Sequence, residues 1–208
     1  MASNVITDFI SWVTNAQNAD TMVLLARTSE SSEVSNPSQA LSLYFMPFDC
    51  TQPGLNLRKI KKMGGRAVDA NEVFFDSYKI PATSLIGKEG DGFRMILHGM
   101  NAERCLLAGE ALGLGYAALG RATNYAIERE VFGKPIGKNQ AIQHGLAEAY
   151  MNLEAAKLAT YHAAKLYDAA ATGESDVSLT TVGAACNSAK YLAAEAAYKA
   201  CERAVSDH

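Results

Sequence analysis

The chain has 208 residues, of which 49% are hydrophobic and 20% are charged, and its formal net charge at pH 7 is −3. This length is enough for one large domain or two small ones, and the composition is ordinary for a globular protein. The small negative charge gives no electrostatic basis for binding nucleic acid or an anionic membrane, and no apolar stretch is long enough to span a bilayer.

The four cysteines lie far apart in the sequence and show no Cys-x-x-Cys spacing. We therefore expect small buried residues in a reducing compartment, not a disulfide framework or a zinc site. The histidines are scattered as well, and no metal site is predicted. The N-terminal stretch lacks the basic segment and apolar run of a secretory signal. We expect the cytoplasm or the mitochondrial matrix as the compartment.

Residues 1–86 are predicted to form an incomplete β-domain. Short segments rich in aliphatic and aromatic residues are separated there by turn-forming residues. These predicted strands are residues 21–27, 41–48, 55–60 and 72–80. No helix-length periodic segment interrupts them. This favours antiparallel pairing, as in a barrel or a sandwich, over βαβ units.

Residues 87–208 are predicted to form an incomplete helical bundle. The stretch from about residue 90 to residue 128 lacks proline and can form one helix about 60 Å long. Glycines inside this helix cost stability, so we expect another helix or a ligand to approach them closely. These glycines are Gly109, Gly113 and Gly120.

Two further helices are predicted from apolar residues spaced three and four apart. The stripes are Ile142, Leu146, Ala149, Leu153 and Ala156, then Val182, Ala185, Ala189, Leu192 and Ala196. Gly173 predicts the stop between them, and Ser175 or Asp176 the cap of the last helix. Three helices in an up-down-up arrangement cannot cover their own stripes fully, so we expect more helices or another subunit.

The predicted fold class is therefore α+β. An antiparallel β-barrel or sandwich portion is followed by three long helices of an up-down bundle. The sequence begins abruptly and ends within a helical pattern, without a C-cap glycine, so we expect a partial chain.

A first candidate site is "SWVTN" at residues 11–15, which contains the only tryptophan. Trp12 and Thr14 are two residues apart and would lie on the same face of a strand. The alternative is a core tryptophan beside a threonine at the end of a strand.

A second candidate is "NAER" at residues 101–104, which places Glu103 and Arg104 among apolar and small residues. Such surroundings would raise the proton affinity of the carboxylate and would suit it to act as a general base. The alternative is a pair of solvent-facing charges.

A third candidate is the corner "EREVFGKPIGKNQAIQ" at residues 128–143, which combines Arg129, Phe132 and Gln140 between two helices. The structural alternatives stay open here. Arg129 can compensate a helix macrodipole, Phe132 can plug the end of the bundle, and the glycines and proline can simply form the corner.

Five short stretches, taken in their order along the chain, form one recognisable pattern. They are "WVTNAQNADTMVLLAR", Pro53-Gly54, "KKMGGRAVDANEVFFDSYKIPATSLIGKEGDGF", "AERCLLAGEALGLG" and "YAIEREVFGKPIGKNQAIQ". In this order they resemble the acyl-CoA dehydrogenase family, and the resemblance covers almost the whole chain.

The resemblance implies FAD lying between a β-domain and a helical bundle, and α,β-dehydrogenation of an acyl-CoA thioester. A carboxylate removes the α-proton, and the β-hydrogen leaves as hydride to flavin N5. The thioester α-proton is weakly acidic, so the site must stabilise charge on the carbonyl oxygen. The resemblance also implies an electron acceptor, a flavoprotein or similar, and a homodimer or homotetramer.

The resemblance further implies a set of FAD-binding residues. They are Trp12, Val13, Thr14, Arg129, Phe132 and Gln140. The first three match the strand segment that lines the flavin, where Trp12 would pack beside the isoalloxazine ring and Thr14 would hydrogen-bond its polar edge. The last three match residues that hold the adenosine diphosphate part of FAD, usually that of a neighbouring subunit. A guanidinium suits a diphosphate, an aromatic side chain suits a flat ring system, and glutamine suits the polar edge of a nucleotide.

The same resemblance assigns roles on the long helix. Asn101 and Arg104 match positions near the acyl-CoA, and Arg104 is expected to position the helix and the site, not to transfer a proton. Glu103 matches the base of members that resemble isovaleryl-CoA and long-chain dehydrogenases. Other members place the base on a loop farther along the chain. We assign proton abstraction to Glu103.

The sequence departs from the family in what it lacks: the helical domain with which members normally begin, and the glycine-rich turn and final helices. Two alternatives therefore stand beside the dehydrogenase. One is a non-catalytic helical-bundle or oligomerisation fragment of the fold, and the other is a flavin oxidase or monooxygenase on the same scaffold.

Overall fold

The computed structural model describes residues 3–30, 32–173 and 176–208. The chain divides into two units, residues 1–97 and 98–208. The first has a core between β-strands and the second a core between α-helices. This confirms the predicted α+β class.

Six strands of the described residues form two antiparallel sheets of three strands each. They are β1 (Ser3–Thr14), β2 (Thr21–Arg27), β3 (Leu41–Pro47), β4 (Leu55–Lys59), β5 (Ala70–Pro81) and β6 (Leu85–Ile86). In the first sheet β5 lies between β1 and β4, and in the second β3 lies between β2 and β6. The predicted antiparallel pairing is confirmed.

The longest central strand, β5, changes its alternation at a bulge. Every second residue from Asn71 to Phe75 is buried, and the buried set then resumes at Tyr78 and Ile80. Between the two sets Ser77 has a φ of 55° and the register with β1 shifts. The bulge lets both halves of the strand face one core, which a regular period of two could not do.

Three long helices follow: α1 (Gly92–Glu128), α2 (Gln140–Thr172) and α3 (Leu179–Asp207), of 37, 33 and 29 residues. A short hairpin, β7 (Glu130–Val131) and β8 (Lys134–Pro135), forms the corner between α1 and α2. The bounds of α1 match the single helix that the absence of proline predicts.

Contacts between the helices fix their directions. Cys105 lies against Cys186, in the first halves of α1 and α3, and Tyr125 stacks on His208 near the ends of both. The second half of α2 packs against the first half of α3. The helices therefore run up, down and up, as predicted.

The buried face of α2 follows its predicted stripe, with Leu153 at the centre of the core. On α3 the predicted stripe is wrong at Leu192, which is 45% exposed, whereas the neighbouring Ala193 is fully buried. α3 packs through alanines, and small side chains let helix backbones approach closely. An alanine-rich helix offers several faces of similar hydropathy, so the sequence leaves the packing face ambiguous.

A helix or a ligand is predicted to approach three glycines of α1, and within this chain the close helix contact lies instead at a fourth. A Cβ at Gly109, Gly113 or Gly120 would meet no described atom within 4 Å, so no other helix of this chain approaches them. At Gly115 a Cβ would lie 2.6 Å from Cδ2 of Leu153 and 3.0 Å from Cα of Ala197. Gly115 is therefore the position at which α1, α2 and α3 meet.

The predicted helix ends are confirmed in part. Gly173 has a φ of 73° and ends α2 in the left-handed conformation, as predicted. Ser178, not Asp176, caps α3, because its hydroxyl accepts a hydrogen bond from Thr181 N. The other predicted cap, Ser175, lies outside the described residues.

All four cysteines are free thiols. Cys186 is buried and two others are half-buried, but Cys50 is exposed, so the expectation of burial is wrong at that position. Cys50 follows β3 in a polar turn, where nothing covers it. Among the described residues, none of the helices has the length and hydropathy that crossing a membrane would require.

Candidate functional site

The tryptophan of the first candidate lies on a bulge of β1. Ile10 pairs with Val73 and Val13 with Asn71, so β1 contains one residue more than β5 between these pairs. Trp12 is in this extra stretch, with a φ of 63°, and its side chain is 64% exposed. The alternative of a core tryptophan is therefore wrong. The bulge presents a large ring on the surface of the first unit.

The residues after Trp12 line a cavity of about 230 Å³. Val13 and Thr14 form one wall, and β2 contributes Met22 and Val23 to the others. The remaining lining residues are Ala16, Ala19, Thr21 and Phe48. Most lining side chains are apolar, but polar atoms, including the hydroxyls of Thr14 and Thr21, make up nearly half of the lining surface. A flat ring with polar atoms at its edge matches a surface of this mixed character.

Two buried polar residues at the start of β5 hold this segment. Asn71 Nδ2 donates to Val13 O at 3.3 Å and makes a short contact with the carboxylate of Asp69. Asp69 accepts in turn from two main-chain N–H groups beyond Thr14: its carbonyl from Asn15 at 3.2 Å, and its Oδ2 from Gln17 at 3.4 Å. The sequence interpretation missed this pair, because a polar residue beside a predicted strand usually faces solvent.

A second cavity, of about 390 Å³, lies in the loop before β5. Its lining includes four cationic residues, Lys59, Lys61, Lys62 and Arg66. Two of them hold the loop together. Lys62 Nζ donates to Val68 O at 2.6 Å, and Arg66 Nε donates to Lys62 O at 3.1 Å.

The second candidate lies on α1 in the other unit. Glu103 is exposed, and it forms no ion pair with any residue that the structure describes. Arg104 is half-buried and donates through Nη1 to Asn101 Oδ1 at 2.9 Å. The apolar residues on either side of Glu103 therefore do not enclose its carboxylate. Any enclosure has to come from groups outside this stretch of helix.

Cys105, two residues after Glu103, belongs to a thiol pair. Its Sγ lies 3.6 Å from that of Cys186 on α3. Burial raises the pKa of the Cys105 thiol to about 11, and the hydrogen bond with Cys186 adds to the effect. A thiol that stays protonated is a poor nucleophile, so this pair packs the helices together and does not add a reactive group to the site.

The third candidate is the exposed corner between α1 and α2. The main chain of Arg129 fixes the corner, since its N–H donates to Tyr125 O and its carbonyl accepts from Ile136 N, both at 2.8 Å. Phe132, at the tip of the hairpin, has a φ of 54° and is 99% exposed. It does not plug the bundle, so that alternative is wrong. The ring and the exposed guanidinium both lie on the surface.

Gln140 begins α2 at the end of this corner, and its side chain is exposed. The N-cap residue Asn139 makes no side-chain capping bond. The first N–H groups of a 33-residue helix therefore lie beside an exposed arginine-bearing corner. Uncapped N–H groups and the positive end of the helix dipole favour an anionic group.

The start of α2 is tied to the end of α3. Arg203 Nη2 donates to Ala141 O at 2.9 Å, and the guanidinium pairs with the buried carboxylate of Asp207, with an Nη2–Oδ1 distance of 2.5 Å. Gly145 makes room for this bridge, because a Cβ there would lie 2.5 Å from Cζ of Arg203.

The described part of the chain contains no group of three histidine, cysteine, aspartate or glutamate side chains that could hold a metal ion. Each candidate above consists instead of hydrogen-bonding, cationic or aromatic groups.

Comparison with known proteins identifies the family. The family model described as "Acyl-CoA dehydrogenase, C-terminal domain" matches residues 90–208. The mitochondrial short-chain specific acyl-CoA dehydrogenase of Bos taurus is 38% identical over 159 residues, covering 76% of this chain and 37% of the relative. Acyl-CoA dehydrogenase FadE12 of Mycobacterium tuberculosis is 36% identical over 197 residues, covering 95% of this chain and 47% of the relative.

Comparison with solved structures gives the same family. Glutaryl-coenzyme A dehydrogenase in complex with glutaryl-CoA has a TM-score of 0.80 at 31% identity, covering 98% of this chain and 48% of that one. The prolyl acyl carrier protein oxidase AnaB has a TM-score of 0.83 at 26% identity, covering 99% of this chain and 51% of that one. The chain thus spans about half the length, or less, of these relatives. It belongs to the acyl-CoA dehydrogenase family.

Proposed function

We propose that this chain forms part of the FAD and acyl-CoA sites of an acyl-CoA dehydrogenase, which introduces a double bond between the α and β carbons of an acyl-CoA thioester. The observation that carries the proposal is the bulge of β1. It places Trp12 on the surface beside a cavity lined by Val13 and Thr14. Left-handed backbone at a bulky residue is unfavourable, and such residues concentrate at functional sites.

The residues present suit FAD. When bound, FAD supplies an acceptor for the hydride that leaves the β carbon. Trp12 offers an exposed indole face for stacking, and Val13 offers an apolar wall. The Thr14 hydroxyl offers a hydrogen bond to the polar edge of a flavin ring.

The corner between α1 and α2 suits the adenosine diphosphate part of the same cofactor. Arg129 provides a guanidinium for the diphosphate, and the first N–H groups of α2 add partial positive charge. Phe132 provides an exposed ring for stacking, and the Gln140 amide can both donate to and accept from a base edge. We propose that the corner serves the FAD of a neighbouring subunit, so that the protein is a homodimer or homotetramer.

Glu103 is the proposed base. Its carboxylate takes the α-proton of the thioester, and no ion pair within the described residues competes for it. Because the side chain is exposed in this chain, the bound substrate has to displace the water around it. Arg104 and Asn101, joined by their hydrogen bond, position the surrounding turn of α1 near the acyl-CoA and take no part in proton transfer.

The proposal includes the organisation of the chain. Residues 1–86 belong to the middle β-domain and residues 87–208 to the C-terminal bundle. The electrons leave through an acceptor protein, a flavoprotein or similar, and acyl-CoA is the substrate. The supporting fact is the match of the second part to the C-terminal domain of the family.

The test uses the visible absorbance of flavin. The purified chain is mixed with FAD, freed of unbound cofactor and titrated anaerobically with acyl-CoA thioesters of different chain lengths. Bound flavin that bleaches with a thioester supports the dehydrogenase. Glu103→Gln is expected to keep bound flavin but to lower the bleaching rate at least about 100-fold, because it removes the general base.

Glu110→Gln is the matched control, since Glu110 is also an exposed glutamate of α1. It should bleach at the wild-type rate. Wild-type bleaching in Glu103→Gln would place the base elsewhere, for example on a loop farther along the chain. A wild-type chain that takes up no FAD would favour the non-catalytic helical-bundle fragment.

A flavin oxidase is the second candidate, favoured by the likeness to AnaB, an oxidase by name. An experiment in air distinguishes the oxidase from the dehydrogenase. An oxidase that has been reduced by its thioester regains its absorbance and produces hydrogen peroxide at the rate of turnover. A dehydrogenase stays bleached until an electron acceptor is added.

A further inference from the structure

The segment that carries the proposed flavin contacts is held in an unfavourable backbone conformation. Trp12 has a φ of 63° and Asn15 a φ of 60°, so two of four consecutive residues are left-handed although neither is glycine. Asparagine enters this region readily, but a bulky residue such as Trp12 adopts it only when its surroundings impose it. The segment therefore depends on groups outside itself.

Asp69 and Asn71 are the groups that hydrogen-bond to the main chain of this segment. Asn71 lies opposite Val13 in the β1–β5 ladder and is 0% exposed. Its Nδ2 binds the main chain before Thr14, at Val13 O. Asp69 accepts from the main chain after Thr14: its main-chain carbonyl from the Asn15 N–H, and its side-chain Oδ2 from the Gln17 N–H. The two side chains also contact each other, so one buried unit holds both ends of the segment.

The hydrogen bonding of the Asn71 side chain is not the arrangement that would give the fold its highest stability. Because Nδ2 points to Val13 O and to Asp69, Oδ1 is turned away from both, and this buried oxygen has no hydrogen-bond partner among the described residues. A buried amide oxygen without a partner destabilises the fold, and an apolar residue of similar shape avoids that cost. We explain the amide at this position by the contacts of its NH₂ group with Val13 O and with the Asp69 carboxylate.

We propose that Asp69 and Asn71 are positioning residues that hold Trp12 and Thr14 in the FAD-binding conformation before the cofactor arrives. They act through the main chain of Val13, Asn15 and Gln17 and do not themselves contact FAD. This inference rests on the proposed FAD site at Trp12–Thr14. A segment ordered in advance loses less conformational entropy on binding, so the pair contributes to affinity without a direct contact.

The only tryptophan of the chain lies on the segment, so its fluorescence reports on that site alone. The experiment uses the full 208-residue chain as wild type, Asp69→Ala, Asn71→Leu and, as control, Asp76→Ala. Asp76 is an exposed aspartate of the same strand, beyond the segment. Trp12 fluorescence anisotropy is recorded without FAD, and quenching of Trp12 is then followed as FAD is added. Far-UV circular dichroism with urea gives the stability of each variant.

Without FAD, Trp12 of Asp69→Ala and Asn71→Leu should show fast local rotation that wild type and Asp76→Ala lack. Their dissociation constants for FAD should rise about tenfold if the binding conformation falls to about one tenth of the population. Asn71→Leu should do so without a matching loss of stability, which a purely structural role would not produce. Asp69→Ala removes the side-chain acceptor of Gln17 N and Asn71 Nδ2, and it carries the test alone if Asn71→Leu does not fold.

Two results overturn the inference in distinguishable ways. If FAD quenches Trp12 equally in wild type and in both folded variants, the proposed FAD site stands and the positioning role is wrong. If FAD fails to quench Trp12 even in the wild type, the site at Trp12–Thr14 is wrong, and the inference is wrong with it.

Discussion

Cys105 shows how the chemistry of one side chain follows from its place in the fold. Its thiol is half-buried on α1, against the fully buried Cys186 of α3. The charged form of a thiol is disfavoured in such surroundings, which is why burial raises its pKa to about 11. Cys50, in contrast, lies in an exposed turn. The four cysteines should therefore differ widely in reactivity.

We predict that iodoacetamide labels Cys50 of the folded protein well before Cys105. With a pKa of about 11, only about one Cys105 thiol in a thousand is ionised at pH 8. Its labelling should rise about tenfold with each pH unit up to about pH 10, since the thiolate is the reactive form. Peptide mass spectrometry after timed labelling measures both rates. Equal rates at Cys50 and Cys105 in the native protein would contradict the burial of the thiol pair.

Single residues also show which properties of the candidate site the sequence does not predict. The residue types of the candidate site were predictable, because a tryptophan, a glutamate and an arginine stand within recognisable stretches. Their exposure was not predictable. Glu103 has apolar neighbours in sequence yet faces solvent, and Trp12 is exposed because a bulge turns it outward. Burial depends on residues far away along the chain, such as Asn71, which neighbours in sequence do not reveal.

Among the secondary-structure elements, the crossing of the three helices depends on one missing side chain. Gly115 is buried where α1 meets Leu153 of α2 and Ala197 of α3. A glycine inside a helix lowers helix stability, and here the loss is offset by closer packing. At Gly109, Gly113 and Gly120 of the same helix a Cβ would meet no described atom within 4 Å, so no close packing within this chain offsets the loss there.

We predict that Gly115→Ala destabilises the helical unit by about 1–3 kcal/mol, because its methyl group would overlap Leu153 and approach the backbone of Ala197. Gly113→Ala is the matched control on an exposed position two residues earlier. It should stabilise the helix by about 0.5–1 kcal/mol. Urea unfolding followed by far-UV circular dichroism measures both. A Gly115→Ala variant as stable as Gly113→Ala would show that α1 does not pack closely there.

The elements themselves were largely predictable, and their irregularities were not. Strands β2 to β5 followed from short segments rich in aliphatic and aromatic residues between turn residues, whereas β1 and β6 were not among the predicted strands. Helix α1 followed from a long stretch without proline. The bulges at Trp12 and Ser77 break the period of two on which strand prediction depends. The buried face of α3 was ambiguous between Leu192 and Ala193, because hydropathy favours leucine while close packing favours alanine.

For the whole molecule, the second unit leaves large apolar side chains on its surface. Met151, Leu158 and Tyr161 are all more than 60% exposed and lie along one side of α2 at spacings of seven and three. Contiguous exposed apolar surface of this kind marks an interaction site. The sequence predicted that three helices would not cover their own apolar residues, and this exposure agrees with that expectation.

We predict that the protein self-associates through this side of α2. Leu158→Lys should weaken self-association at least about tenfold, because burial of a leucine is worth about 1.5–3 kcal/mol and about 1.4 kcal/mol is a factor of ten. Asn152→Lys adds the same charge to an exposed position beside the stripe and should leave association unchanged. Sedimentation velocity at several concentrations measures the difference. Equal association of the two variants would place the interface on another surface.

The bridge from Arg203 to Ala141 has a consequence for the cofactor corner. Since Asp207 anchors the guanidinium and Gly145 leaves it space, the final turn of α3 and the opening turn of α2 form one hydrogen-bonded block. Gln140 is part of that block. If Gln140 makes the proposed nucleotide contact, a neighbouring subunit that displaces residues 203–207 should shift that contact as well, and subunit assembly would then affect cofactor retention.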